Sequence, residues 1–170
     1  MDYYSEISKG YNELHKEEQL KKLEIIAKHI KPKAPLLDIG AGTGISTSFF
    51  RVKAFALEPS EEMLKQYKGE KVVGKAESIP FPDKIFNTII SITALHHADI
   101  EKAIKEIKRV SKDNCIYAFT ILKKAKNAVE IKELLKKEFN LKELNEEKDY
   151  ILVSNQNEPK KLAAPPSSFF

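Results

Sequence analysis

An α/β fold with a mostly parallel, doubly wound sheet is predicted by three features of this 170-residue sequence. Short apolar runs bounded by turn residues alternate with longer stretches of helical periodicity, the pattern of strand–helix–strand units. A glycine cluster follows the first apolar run directly and opens a helix, where ligands of such sheets sit. The last two apolar runs meet across a Glu147-Lys148-Asp149 turn, so an antiparallel strand closes the sheet.

The elements follow in order. Residues 17–31 carry Leu20, Leu23, Ile26, Ala27 and Ile30 at helical spacing, ended by Pro32 and Pro35. Ala34 to Ile39 reads as a buried strand, Thr43 to Phe50 as a short helix and Val52 to Leu57 as the second strand. Ser60 caps the next helix, with Glu61 and Glu62 in its first turn and Met63, Leu64 and Tyr67 facing inward. Lys71 to Val73 is a third strand, residues 74–83 a loop, and Ile85 to Ile92 a central strand apolar on both faces. Asp99 caps a helix through Ser111, Cys115 to Leu122 is the fifth strand, and Val129 to Phe139 is a helix. Leu141 to Glu147 and Tyr150 to Ser154 form the closing pair.

Composition narrows the class. Hydrophobic residues are 42% and charged residues 32%, enough for one packed domain, assigned to residues 1–154. The Pro/Ser-rich segment 155–170 reads as a flexible tail. No apolar run reaches the roughly 18 residues of a membrane span, and the first residues lack the pattern of a secretory signal. Cys115 is the only cysteine, and no Cys/His cluster has zinc spacing, so no metal is expected and a cytoplasmic protein is. The formal net charge of +4 does not by itself call for nucleic acid.

The chemistry concentrates at Asp38-Ile39-Gly40-Ala41-Gly42-Thr43-Gly44. Glycines let the backbone turn sharply and approach a ligand, and the following helix start offers free N–H groups. A dinucleotide fingerprint needs glycine at position 45, which is Ile45. A phosphate-binding loop needs a Gly-Lys-Ser/Thr ending that is absent. The remaining pattern, D-x-G-x-G-x-G, puts an acid before the first glycine. It disfavours a pyrophosphate and suits a ligand with an amino group beside a carboxylate.

This segment resembles motif I of the class I S-adenosylmethionine-dependent methyltransferases. Ala56 to Leu64 is similar to that family's second-strand motif, Gly74 to Asp83 to its adenine-side loop, and Ile90 to His97 to the fourth-strand motif of its type 11 subgroup. Glu106 to Val110 matches the helix that follows. The resemblance covers about residues 3–154 and implies a Rossmann-like sheet, S-adenosyl-L-methionine as cofactor and a methyl-accepting substrate. The chain departs from the pattern at Ser111-Lys112-Asp113-Asn114, where the family has a proline-glycine-glycine turn, and in a trimmed first helix.

Carried onto this sequence, the resemblance gives Asp38 the methionine ammonium, directly or through water. Gly40, Ala41, Gly42 and Gly44 form the loop around the ligand. Glu58 takes the ribose hydroxyls, and Pro59 and Met63 line the adenine. Ala76 and Glu77 contact the adenine edge, and Thr93 stands near the methyl donor. Asp38 and Glu58 are expected at the mouths of neighbouring strands. Residues 1–33 are expected to form a helical lid, with Tyr3, Tyr4 and Tyr11 shielding the sulfonium. His96 and His97 are the candidate bases, with Tyr11 a further catalytic candidate. The acceptor stays open between a small metabolite, RNA and protein, with RNA or a partner subunit as candidate partners. A non-catalytic cofactor-binding subunit or sensor is the alternative.

Overall fold

The computed structural model describes the backbone of residues 3–156 and the side chains of residues 13–156. The expected tail beyond residue 156, and the side chains of Tyr3, Tyr4 and Tyr11, lie outside the described residues. Seven strands form one sheet: β1 (Leu36–Ile39), β2 (Ala54–Glu58), β3 (Glu70–Val73), β4 (Phe86–Ile92), β5 (Ser111–Leu122), β6 (Leu141–Leu144) and β7 (Asp149–Ser154). Their order is β3-β2-β1-β4-β5-β7-β6. The first five strands are parallel, and β7 runs antiparallel to both β5 and β6. The order reverses between β1 and β4, so the crevice that such sheets use for ligands opens beyond the ends of those two strands.

Period-two alternation divides the apolar side chains between two faces. Leu37 and Ile39 of β1 join Ile89, Phe119 and Leu152 under two helices, α4 (Ile100–Val110) and α5 (Ala128–Glu138). Leu36, Ile90, Ala118 and Val153 point the other way, against Leu23 and Ile26 of α1 (Tyr3–Ala27). Asp99 caps α4 by accepting the Lys102 amide at 3.3 Å. Ala103, Ile104, Ile107 and Val110 are buried on its inner face, as their spacing predicts.

Four elements differ from the sequence expectation, among them β6, which ends at Leu144 rather than at Glu147. The first helix starts at Tyr3 rather than near residue 17. Among the described side chains, Leu20, Leu23 and Ile26 of its second half pack on the sheet. The helix after Ser60 stops at Leu64, leaving Met63 42% exposed instead of facing inward. β5 begins at Ser111, four residues early, across a register shift between Phe86 and Thr88.

The long first helix positions the site. Ile30 packs with Leu36 at the start of β1, whereas Lys22 reaches Thr93 just beyond the end of β4. α1 therefore runs against the parallel strands, and its first turns pass beyond the crevice. At 1.5 Å per residue its 25 residues span about 37 Å. No helix among the described residues is long and apolar enough to cross a membrane.

Candidate functional site at the switch point

The bend after β1 is built on three left-handed glycines. Gly40, Gly42 and Gly44 have φ of 71°, 58° and 87°, a region that non-glycine residues enter only at a steric cost. A Cβ on Gly40 would strike Ala94, and one on Gly44 would strike the Tyr67 ring. The bend is thus pressed against the segment after β4 on one side and the segment after α3 (Glu61–Leu64) on the other. The amides of Gly40 and Ala41 both donate to the Leu57 carbonyl, at 2.8 and 3.0 Å, which ties the bend to β2.

Asp38 sits beneath this bend and is fully enclosed. Sequence reasoning put it at an open strand mouth. It shares a face with Leu36, and the short helix α2 (Ile45–Phe49) brings Ser46 and Thr47 over it. Both hydroxyls donate to Asp38 Oδ2, at 2.5 and 2.8 Å, while Oδ1 has no partner. Burial pushes the carboxyl up to about 7 against the pull of the two hydroxyls, and the nearby charge of Glu58 adds to the rise.

Glu58 ends β2 on the same face and is half-buried. Its Oε1 accepts the Gly42 amide at 3.2 Å and its Oε2 the Ser60 amide at 2.8 Å. Each oxygen keeps lone-pair capacity for a further donor. Pro59 is exposed, and the Met63 methyl lies 3.3 Å from a Cβ built on Gly42. Ala76 is 9% exposed, and Glu77 is half-buried beside it.

The loop carrying Ala76 and Glu77 is pinned by a pair to which sequence reasoning gave no role. Arg109 donates to the Ile79 and Phe81 carbonyls and to Asp83, each at 2.8 Å. It also pairs with Glu106, which accepts the Ile79 amide at 2.8 Å. The hydrogen bond from Arg109 holds the Glu106 carboxyl below its ordinary range, and that pair holds the guanidinium above its own.

Beyond β4, Thr93 adopts φ 55°. Its amide donates to the Thr120 carbonyl and hydroxyl, at 3.0 and 2.9 Å. Its hydroxyl meets Lys22 Nζ at 3.1 Å and Asp149 Oδ2 at 3.1 Å, and Lys22 pairs with Asp149 at 2.8 Å. Asp149 was expected in the exposed turn before β7. It opens that strand instead, with its side chain fully buried and Oδ1 unpartnered.

His96 and His97 occupy a single 3-10 turn, Leu95–His97, their ring centroids 3.9 Å apart. His97 is exposed, while His96 is half-buried with Nδ1 enclosed and unpartnered. Burial, with His97 beside it, pulls the His96 imidazole below its ordinary pKa against the opposing charge of Asp149. A cavity of about 590 Å³ borders His96 and the start of α5. Cys115, by contrast, is buried and its thiol is pushed up to about 11, chiefly by burial. Among the described residues, no group of three or more His, Cys, Asp or Glu is arranged to hold a metal.

Comparison with known proteins agrees with this fold. Residues 37–119 match the family model described as a methyltransferase domain. The protein MJ1252 of Methanocaldococcus jannaschii is 37% identical over 142 residues, covering 79% of this chain and 55% of that protein. YcgJ, a methyltransferase by name from Bacillus subtilis, is 37% identical over 93 residues, 46% of this chain and 37% of that one. The crystal structure of YcgJ superposes with a TM-score of 0.55 at 28% identity, covering 60% of this chain and 50% of that chain. The chain spans about half the length of the curated relatives it matches. A SAM-dependent methyltransferase from Thermotoga maritima shares the fold, with a TM-score of 0.65, 19% identity and 90% of each chain covered.

Proposed function

This chain belongs to the class I S-adenosylmethionine-dependent methyltransferases, type 11 subgroup, and from that premise we propose that it moves a methyl group from S-adenosylmethionine to a nucleophile. The observation that carries the reading is the unpartnered Oδ1 of Asp38 beneath three left-handed glycines, with Glu58 at the tip of the adjacent strand. An enclosed carboxyl pushed up to about 7 is short of a cation, and the ammonium of an amino-acid moiety supplies one.

The residues fit the cofactor in kind. Asp38 acts on the ammonium from beneath the bend, through a bridging water, because it is fully enclosed. Gly40, Ala41, Gly42 and Gly44 give close backbone access. Glu58 takes the ribose hydroxyls with the lone pairs left by Gly42 and Ser60. Pro59 and Met63 cover the adenine, the Ala76 amide and Glu77 serve its polar edge, and Thr93 borders the methyl end. When bound, S-adenosylmethionine supplies an electrophilic methyl carbon on a sulfonium.

The protein's own work is alignment, water exclusion and removal of a proton. His96 Nδ1 is enclosed and open, and a ring with a lowered pKa is neutral near pH 7 and able to accept that proton. His97, exposed beside it, is the second candidate base. The first turns of α1, which carry Tyr11, act as the lid. The acceptor is a small metabolite, RNA or protein, and RNA or a partner subunit completes the cleft. A cytoplasmic location suits the single buried thiol of Cys115.

The test is transfer of labelled methyl from S-adenosylmethionine to bulk tRNA, to protein and to small-molecule fractions. Transfer to one fraction above background is expected. Tight cofactor binding with no transfer to any fraction contradicts catalysis.

A further inference from the structure

α2 has only five residues, and it leaves the space between α1 and the segment after α3 unfilled. A cavity of about 760 Å³ lies there. Lys16 and Leu20 of α1 bound it, with Phe49 and Arg51 at the end of α2 and Tyr67 and Lys68 after α3. Thr43 and Gly44 line it too, so it opens onto the glycine bend. It shares no lining residue with the cavity beside His96.

The lining carries charge of one sign. Lys16, Arg51 and Lys68 are exposed in it, and no acidic residue lines it among the described residues. None of the three cations has a hydrogen bond or ion pair to a described residue. Elsewhere Lys22, Lys108, Lys132, Lys136 and Lys148 each pair with a carboxylate. Arg51 follows the C-cap of α2 with φ 53°, a left-handed position where glycine is the default and arginine has a steric cost. The sequence has only one other arginine, Arg109, which uses its fork to hold the loop before β4. Three like charges brought together without an acid favour an anion that spans them.

Two aromatic rings border the same cavity. Phe49 is half-buried, and Tyr67 is wedged against Gly44 and Gly69, where an added Cβ would strike its ring. A row of phosphates answers the cations, and the bases of an unpaired strand have π-faces to set against the rings. An acidic peptide matches the charge but not the rings. Resting on the methyl-transfer reading above, we propose that this groove docks the phosphodiester backbone of a single-stranded nucleic acid beside the bound cofactor. The strand is a partner of the cofactor site and not its occupant. Because the charged contacts fall on phosphates, the groove positions the strand and carries little sequence preference.

The test is fluorescence anisotropy of the full chain with a labelled oligouridylate and, separately, a labelled oligothymidylate, which carry the same phosphates on two sugars. Saturable binding of at least one is expected, with a log–log salt slope of about −2 for three phosphate contacts on a single strand. Lys16→Gln/Arg51→Gln/Lys68→Gln should weaken binding about tenfold or more at low salt and flatten that slope. The charge-matched variant Lys105→Gln/Lys112→Gln/Lys137→Gln removes three exposed lysines outside the groove and should leave both unchanged. Arg51→Gly relieves the backbone at φ 53°, so it should keep thermal stability near wild type while weakening binding. S-adenosylhomocysteine should bind the groove variant as it binds wild type, and it should not displace the strand. No saturable binding of either strand, equal loss in the charge-matched variant, tighter binding of polyglutamate, or displacement by S-adenosylhomocysteine overturns the proposal. Calorimetry with S-adenosylhomocysteine alone separates the two readings. Its failure sinks the cofactor assignment, while the oligonucleotide titration is then read on the unliganded protein.

Discussion

Asp38 enters the folded state holding a proton that its unfolded counterpart gives up near 3.8. Between there and about pH 7 the native chain binds more protons than the unfolded chain, so this group's contribution to stability is present below the lower value and lost as pH rises through the upper one. The loss is on the order of a few kcal/mol. Urea unfolding of the unliganded protein should show it, and Asp38→Asn should remove that pH dependence. The same charge logic predicts proton release when a cationic ammonium is bound near Asp38 below about pH 7. Calorimetry in buffers of different ionisation enthalpy should then give different apparent binding enthalpies, and the difference should vanish well above pH 7. An enthalpy independent of buffer at the lower pH would count against the role of Asp38. The acid and its glycine bend were legible in the sequence because the spacing of Asp38, Gly40, Gly42 and Gly44 is local. Its enclosure was not, since that depends on where Ser46 and Thr47 land once α2 forms.

At the scale of elements, the loop carrying Ala76 and Glu77 depends on one side chain of α4. Arg109 reaches two carbonyls and Asp83 in that loop, and Glu106 takes the Ile79 amide. A lysine at this position has no planar fork to make these contacts together. Arg109→Lys should cost about 1–2 kcal/mol of stability and speed amide exchange in residues 76–83. It should also lower cofactor affinity, although Arg109 is not among the residues assigned to touch the cofactor. Exchange in that loop equal to wild type would refute the assignment. Such tethers are poorly visible in sequence, where a charged residue on a helix reads first as a solvated face. Lys22 and Asp149 make the same point more sharply. Their partners lie 71 and 56 residues away at Thr93, and Asp149 looked like part of a turn. The strands, in contrast, were readable because apolar runs such as Ile89 to Ile92 are buried on both faces wherever the sheet is parallel.

For the molecule as a whole, strand order fixes what the sequence pattern only suggests. Reversal between β1 and β4 brings the glycine bend, the end of β2 and the segment after β4 to one edge. α1 crosses the same edge and is fastened there by Lys22–Asp149 and by the exposed Glu18–Lys148 pair at 2.6 Å. The antiparallel β7 contributes Asp149 to that edge, a placement that a wholly parallel sheet would lack. The apolar periodicity marked the half of α1 whose Leu20 and Leu23 meet the core, whereas the helical expectation for residues 1–33 came from the family resemblance. The central claim is that this edge holds one nucleoside–amino-acid molecule between the acid under the bend and the acid at the tip of β2. Isothermal titration calorimetry of the full chain with S-adenosylhomocysteine and, separately, with NAD tests it most directly. Saturable binding of S-adenosylhomocysteine at one site per chain, with no heat from NAD, is the predicted result. A folded protein that binds NAD in preference, or neither ligand, would contradict it.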